Sequence, residues 1–124
     1  MSAPPDVNAN GDLLILRDEL RRFSAERDWD QYHSPKNIAI ALSVEASELL
    51  EHFQWLTEEQ SHSLPTEKLA AVGKEMADVL LFLISLADKL DIDLIKTTKS
   101  KLSENAHKYP VEKARGNTKK YTNL

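Results

Sequence analysis

Two pairs of acidic residues stand out because each pair has the same spacing of three residues. Glu45 and Glu48 form the first pair, and Glu75 and Asp78 form the second. Residues three apart are neighbours on one helix face, so each pair presents two carboxylates together. Carboxylate oxygens are ligands for hard divalent cations, above all Mg²⁺, with Mn²⁺ or Ca²⁺ as substitutes. The two pairs therefore predict an oxygen-only metal site between two helices.

The position of Glu45 favours this interpretation over four unrelated surface acids. At helical spacing Glu45 falls in the middle of an apolar stripe, formed by Ile38, Leu42, Leu49 and Leu56. An unpaired carboxylate in a core still costs several kcal/mol after relaxation, so it needs a cation, a basic side chain or a shifted pKa. The alternative remains that these are surface acids in a chain with 29% charged residues. Spacing alone does not decide between the two.

A di-iron site is a competing interpretation of the same carboxylates. Such sites place acids on facing helices together with Glu-x-x-His elements, and Glu104-Asn-Ala-His107 has that pattern. The pattern occurs once, because His52 follows Glu48 by four residues instead of three. We therefore expect the histidines at 52, 62 and 107 to lie on the surface or to have ordinary hydrogen-bond partners.

A row of basic and amide side chains suits phosphate oxygens. Lys101, Asn105 and Lys108 follow a spacing of four and then three, which aligns them on one helix face. A solvated basic face near a helix C-terminus explains the same row equally well. Planar rings that could stack on a nucleobase, or else fill the core, lie elsewhere in the chain: Trp29, Tyr32, Trp55 and Phe82.

The elements that must position these side chains are helices. The chain has three glycines and no alternating apolar and polar runs, whereas apolar residues recur three and four apart. The first helix is predicted to begin at Asp12, an N-cap residue, and to end near Trp29. The second is predicted to begin at Pro35, after a cap at Ser34, and to end near residues 55–56.

Two more helices complete the predicted fold. The third extends from a cap at Thr66 to about Leu90, and the fourth follows a cap within residues 91–93. Residues 79–86 are apolar on nearly every side, which predicts a third helix that is buried all round. Residues 57–65 have the composition of an ordinary connection. The predicted class is all-α, a four-helix bundle-like protomer.

Composition limits the domain organisation and the partners. We expect a flexible N-terminal tail at residues 1–11, one all-α domain at residues 12–110, and a basic C-terminal tail at residues 111–124 that contributes to the same domain. A net charge of −4 argues against a nucleic-acid polymer as partner. The longest apolar run, residues 79–84, is far shorter than the roughly 20 residues of a membrane span. The lack of cysteine fits the cytoplasm.

Several motifs together resemble one family. The acidic pairs are Glu45-Ala-Ser-Glu48 and Glu75-Met-Ala-Asp78, and the basic row ends in Lys108-Tyr109-Pro110. The more specific segments are Arg27-Asp-Trp29, His33-Ser-Pro35-Lys-Asn37, Phe53-Gln-Trp55 and Lys120-Tyr121. From about Leu16 to the C-terminus the chain is similar to the MazG-like, all-α nucleoside triphosphate pyrophosphatases, above all to their dCTP pyrophosphatase branch.

The resemblance implies Mg²⁺-dependent hydrolysis of a nucleoside triphosphate to a monophosphate and pyrophosphate, in a homotetramer built as a dimer of dimers. It implies four metal ligands, Glu45, Glu48, Glu75 and Asp78. It also implies nucleotide contacts from Trp29, Asp30, Gln31, Tyr32, His33, Trp55 and Phe82. We assign phosphate binding to Lys101, Asn105 and Lys108, and we assign Glu48 as the general base that accepts a proton from water.

Two departures from the family pattern concern the nucleobase. Leu20 stands where the vertebrate enzymes of this branch have a histidine, and Phe82 replaces a tyrosine. The sequence therefore leaves the preferred base open. Two other function classes also stay open, namely a protein that binds nucleotide and metal without catalysis and a helical interaction module.

Overall fold

The computed structural model describes residues 5–124, and it describes the side chains of residues 11–124. Residues 1–4, at the start of the predicted N-terminal tail, lie outside this range. Regular structure in the described residues is helical, with no strand, which confirms the predicted all-α class. The α-helices are α1 (Pro5–Glu26), α2 (Pro35–Glu51), α3 (Glu58–Ser61), α4 (Thr66–Lys89), α5 (Leu94–Lys108) and α6 (Val111–Ala114). Short 3₁₀ helices cover Asp30–Tyr32 and Tyr121–Asn123.

Helix α1 begins at Pro5, so the prediction that the first helix starts at Asp12 was wrong. Asn8, Asn10 and Gly11 are weak helix formers, and for this reason the sequence favoured a later start. Proline is well suited to the first helical position, because its φ angle is already helical and its missing N–H has no partner to lose there.

Helix α2 has the predicted beginning but ends earlier than predicted. The Ser34 hydroxyl accepts a hydrogen bond from the Asn37 backbone N–H at 3.1 Å, which confirms the N-cap. The helix ends at Glu51 instead of residues 55–56. Beyond it the Phe53 backbone N–H donates to the Leu50 carbonyl at 2.9 Å, three residues back, so the chain tightens into turns.

A short helix lies in the segment that we predicted to be an ordinary connection. Helix α3 has a capping box, in which the Thr57 hydroxyl accepts from the Gln60 backbone N–H at 3.1 Å. The Gln60 side chain in turn accepts from the Thr57 backbone N–H at 2.9 Å. This Thr-x-x-Gln pattern was readable in the sequence.

Helix α4 packs against α2 and α1, and together these helices hold the core. The buried apolar side chains of the described residues are Ile38, Val72, Ile84 and Ala87. The prediction that α4 is buried on every side was wrong for this chain by itself, because Leu80 is 40% exposed and Met76 is 57% exposed. Two neighbouring helices cover only part of a helix surface, and the remaining apolar side chains face outward.

The chain divides into two compact units, Met1–Asp91 and Ile92–Leu124. The second unit begins with α5, where the Asp93 carboxylate caps the helix by accepting from the Lys96 backbone N–H at 3.1 Å. At the end of the same unit the Tyr121 ring packs edge-on against Tyr109, with centroids 6.1 Å apart. None of the helices in the described part of the chain is long and apolar enough to cross a membrane.

Candidate functional site

Three of the four predicted metal ligands lie together where α2 packs on α4. Glu45 and Glu48 lie one turn apart on α2, and Glu75 lies on α4. Each offers a carboxylate oxygen, and these three oxygens lie within 4.8 Å of one another. We call this group the acidic cluster. Oxygens at such distances can converge on one divalent cation.

No basic side chain of the described residues pairs with the acidic cluster. Oε2 of Glu45 and Oε2 of Glu75 are buried and have no hydrogen-bond partner among the described residues. Burial raises the pKa of Glu45 to about 7, and a hydrogen bond with Glu48 and the charges of Asp78 and Glu75 act in the same direction. The two buried acceptor atoms lack donors and lie beside like charges. A cation would bind both acceptors and neutralise the charges, so these residues fit a divalent metal.

Asp78, the fourth predicted ligand, lies next to the acidic cluster but outside the group of three. Its charge acts on Glu45, and it lies one turn after Glu75 on α4. The Asp78 side chain is exposed and lines the wall of a neighbouring cavity. Its role as a metal ligand stays a prediction.

The neighbouring cavity lies among α1, α4 and the turn before α2, and its volume is about 520 Å³. We call it the apolar cavity, because most of the surface that lines it is carbon. Its apolar lining residues are Leu16, Leu20, Phe23, Trp29, Leu81 and Phe82. Its polar lining residues are Glu19, Ser24, His33, Asp78 and Ser85.

Residues 29–33 form a turn in which some side chains line the apolar cavity and others make contacts elsewhere. Trp29 and His33 line the apolar cavity, and the indole packs edge-on against Phe23 with ring centroids 5.6 Å apart. Asp30 pairs instead with Lys89, at 3.5 Å between Oδ1 and Nζ.

The other residues predicted to contact nucleotide lie outside the cavity lining. The Gln31 amide donates to the Asp28 carbonyl at 3.0 Å, and Tyr32 is 62% exposed. Trp55 lies in the turns after α2 and is 87% exposed. The structure therefore brings Trp29, His33 and Phe82 together and leaves the roles of the others as predictions.

The predicted phosphate-binding residues lie on α5, in the second unit. Glu104 pairs with Lys101 at 3.5 Å and with Lys108 at 3.2 Å, so the two lysines share a helix face. The hydrogen bond with Glu104 raises the pKa of Lys108, whose ammonium lies 4.9 Å from the centre of the Tyr121 ring. Asn105 is half-buried on the same helix. The role of Glu104 as shared partner was not predicted, although its spacing of three and four residues from the two lysines indicates it.

A second feature missed from the sequence is an ion pair between α1 and α4. The Arg21 guanidinium donates from Nε to Oδ2 of Asp88 at 2.9 Å and from Nη2 to Oδ1. This contact holds the pKa of Asp88 below its ordinary value and raises the pKa of Arg21. Together with Lys89 and Asp30 the pair lines a small polar cleft.

Comparison with known proteins identifies relatives of this chain. The MazG-like family matches residues 40–124. The dCTP pyrophosphatase 1 of Bos taurus is 38% identical over 125 residues, which cover 99% of this chain and 74% of the relative. The mouse protein of the same name is 43% identical over 104 residues, or 82% of this chain. That match spans 61% of the mouse protein, and the match to the human protein, 42% identical, also spans 61%.

A solved structure has the same fold. The crystal structure of a pyrophosphatase from Archaeoglobus fulgidus superimposes with a TM-score of 0.71 and is 40% identical in sequence. The match covers 75% of this chain and 87% of that protein.

Proposed function

The chain belongs to the MazG-like family, and we propose that it hydrolyses a nucleoside triphosphate to a monophosphate and pyrophosphate with the help of Mg²⁺. The observation that carries the proposal is the acidic cluster, in which buried oxygens of Glu45 and Glu75 have no donor among the described residues. The relatives named dCTP pyrophosphatase support dCTP, or a modified dCTP, as the substrate.

Glu45, Glu48 and Glu75 would hold the cation, with Asp78 as the proposed fourth ligand. Oxygen-only ligands favour Mg²⁺, and Mn²⁺ is the substitute that we expect. When bound, such an ion neutralises charge on triphosphate oxygens and lowers the pKa of a water molecule. The raised pKa of Glu45 supports the binding of a cation from solution, which would balance the charge of these acids.

The chain's own residues then have three tasks. Glu48 is half-buried and lies within the acidic cluster, so we assign it as the general base that accepts the proton of the attacking water. Such help is worth about 10² to 10⁴ in rate. Lys101, Asn105 and Lys108 bind phosphate oxygens, and for this the triphosphate must compete with Glu104 for the two lysines.

The third task is to hold the nucleobase of the substrate. Trp29, His33 and Phe82 line the apolar cavity, and Asp78 places one wall of that cavity beside the acidic cluster. A nucleotide whose nucleobase lies in the cavity would therefore have its phosphates near the cation site. We keep Asp30, Gln31, Tyr32 and Trp55 as proposed nucleotide contacts from the sequence resemblance.

An oligomer, with the homotetramer as the proposed form, would cover apolar surface that one chain leaves exposed. Leu69, Met76 and Leu80 of α4 face outward, and so does Trp55. Side chains of this type are common at the centres of subunit interfaces. The proposed location is the cytoplasm.

The test is product analysis with dCTP, 5-methyl-dCTP, dTTP, dUTP, dATP, dGTP and the ribonucleotides, in Mg²⁺ and in EDTA. We expect pyrophosphate and a monophosphate in Mg²⁺ only, and no turnover by Glu45→Gln. The matched control is Glu51→Gln, which removes an exposed carboxylate from the same helix. Nucleotide binding without any product would instead identify a non-catalytic binder, and folded protein that neither binds nor cleaves nucleotides would favour an interaction module.

A further inference from the structure

The apolar cavity has a polar end. It shares four lining residues with the small polar cleft, namely Leu20, Ser24, His33 and Ser85. Three of these carry hydrogen-bonding side chains, and we call Ser24, His33 and Ser85 the polar end. They come from α1, from the residue after the first 3₁₀ helix, and from α4.

The polar end lies away from the acidic cluster along α4. Asp78 and Ser85 both line the apolar cavity and are separated by two helical turns, a rise of about 10 Å. A deoxynucleoside has a similar length. A nucleotide whose phosphates lie at the acidic cluster therefore directs the hydrogen-bonding edge of its base toward the polar end.

The charged groups behind the polar end are already paired with one another. Asp88 accepts two hydrogen bonds from Arg21, and Asp30 pairs with Lys89. Arg17, which lines the same cleft, pairs with Asp18 at 3.0 Å. The hydrogen-bonding side chains that line both the cavity and the cleft, and so form the polar end, are two hydroxyls and an imidazole.

We propose that Ser24, His33 and Ser85 determine base specificity, and that they accept cytosine and uracil nucleotides with little discrimination. The inference rests on the proposed function and adds the substrate class. A serine hydroxyl can donate or accept, and a neutral imidazole has one donor and one acceptor. Cytosine and uracil have the same shape but opposite hydrogen-bonding groups at position 4, an amino donor and a keto acceptor. The polar end can satisfy either pattern by rotating its hydroxyls.

The size of the expected discrimination follows from this chemistry. A site with fixed donors or acceptors can reject a substrate that lacks the matching group by about 10⁴ to 10⁵ in kcat/KM. A pocket that selects mainly by shape reaches about 10². We expect the ratio of kcat/KM for dCTP and dUTP to stay below about 10².

The experiment measures kcat and KM for dCTP and dUTP in the full chain, with Ser24→Ala, Ser85→Ala and the conservative Ser85→Thr. Each alanine variant should raise KM for both nucleotides about tenfold, with kcat nearly unchanged, because one hydrogen bond to the base is lost. Ser85→Thr keeps the hydroxyl and should restore KM. Ser63→Ala, in an exposed turn, is the control that should leave both constants unchanged. Thermal unfolding of each variant verifies that it folds.

A preference above about 10³ for one nucleotide, or serine variants with unaltered KM, would overturn the inference. Binding of dCMP and dUMP, measured by calorimetry, separates this failure from failure of the proposed function. Equal binding of the two monophosphates that weakens in Ser85→Ala supports the polar end even if no triphosphate is hydrolysed. Hydrolysis of dCTP together with binding of dCMP alone contradicts the inference and leaves the proposed function in place.

Discussion

Helix α4 carries two carboxylates with opposite surroundings. At Glu75, Oε2 is buried, has no donor in the part of the chain that the structure describes, and lies beside Glu45 and Glu48. At Asp88, between three and four turns nearer the C-terminus, the chain supplies the Arg21 guanidinium. The acidic cluster as a whole shows the same contrast, since burial and neighbouring acids raise the pKa of Glu45, on α2, to about 7, whereas Arg21 lowers the pKa of Asp88.

The difference shows that the charges of the acidic cluster destabilise the fold, whereas the charge of Asp88 is balanced. A carboxylate at a helix contact is costly when it is partly desolvated beside like charges, and a basic side chain removes that cost. Among the residues that the structure describes, a basic side chain does so at Asp88 but not in the acidic cluster. Residues that lower stability without a structural gain are expected at functional sites. The comparison therefore supports a cation from solution as the missing partner of Glu45, Glu48 and Glu75.

The largest expected effect is on turnover. Glu75→Gln keeps the shape of the side chain but removes one charge from the acidic cluster, so we expect kcat for dCTP to fall by about 10² to 10³ in Mg²⁺. Pyrophosphate release is the measurement, and Glu51→Gln is the control. Turnover by Glu75→Gln within threefold of the unaltered chain would show that the acidic cluster is not the reaction centre.

The second effect is on stability in the presence of metal. A ligand that binds only the folded state at 100 times its Kd adds about 2.7 kcal/mol to the free energy of unfolding. We expect Mg²⁺ to stabilise the unaltered chain and Asp88→Asn alike, because Arg21 and not the ion is the partner of Asp88. Glu75→Gln should lose most of this gain.

Denaturant titration with and without Mg²⁺ measures these differences. If the stabilisation by Mg²⁺ disappeared in Asp88→Asn and persisted in Glu75→Gln, the cation would bind near Asp88 and not at the acidic cluster.

A third prediction uses the metal-free protein at pH 8, where removing the charge of Glu45 in the acidic cluster and removing that of Asp88 should change the free energy of unfolding in opposite directions. The raised pKa of Glu45 means that its charged form destabilises the fold above the ordinary pKa, so Glu45→Gln should raise the free energy of unfolding in EDTA. Asp88→Asn should lower it, because the ion pair with Arg21 is lost. The loss in Asp88→Asn should be about 1 kcal/mol, the scale of a partly exposed ion pair. Urea unfolding in EDTA measures both, and a stability loss in Glu45→Gln would contradict the contrast.

The sequence predicted the acidic cluster but not the ion pair between Arg21 and Asp88. Glu45 was recognisable because an acidic residue interrupted an apolar stripe, and the acids three residues from it and on the next long helix completed the pattern. Local signals of this kind also predicted the cap at Ser34 and a cap within residues 91–93, and the structure confirms the first and places the second at Asp93.

Arg21 and Asp88 are 67 residues apart, so no local spacing joins them. Their contact depends on how α1 packs along α4, which helical periodicity does not specify. The polar end of the apolar cavity was invisible for the same reason, because Ser24 and Ser85 are unremarkable in their own helices. The early start of α1 and the capping box of α3 are different, since Pro5 and the Thr57–Gln60 pattern were local signals that were overlooked.

The smallest expected effect is the pH dependence of the Arg21 pair. Because Arg21 lowers the pKa of Asp88 below its ordinary 3.8, the folded state holds the ionised carboxylate more strongly than the unfolded chain does. This stabilisation is complete above the ordinary pKa and is lost as the pH falls through the lowered value. The difference in free energy of unfolding between the unaltered chain and Asp88→Asn should therefore be constant from pH 5 to 7, at about 1 kcal/mol, and should shrink below about pH 4. Urea titrations of both proteins in EDTA across this range measure the difference, and one that persists unchanged at pH 2 would assign the effect of Asp88→Asn to packing instead of charge.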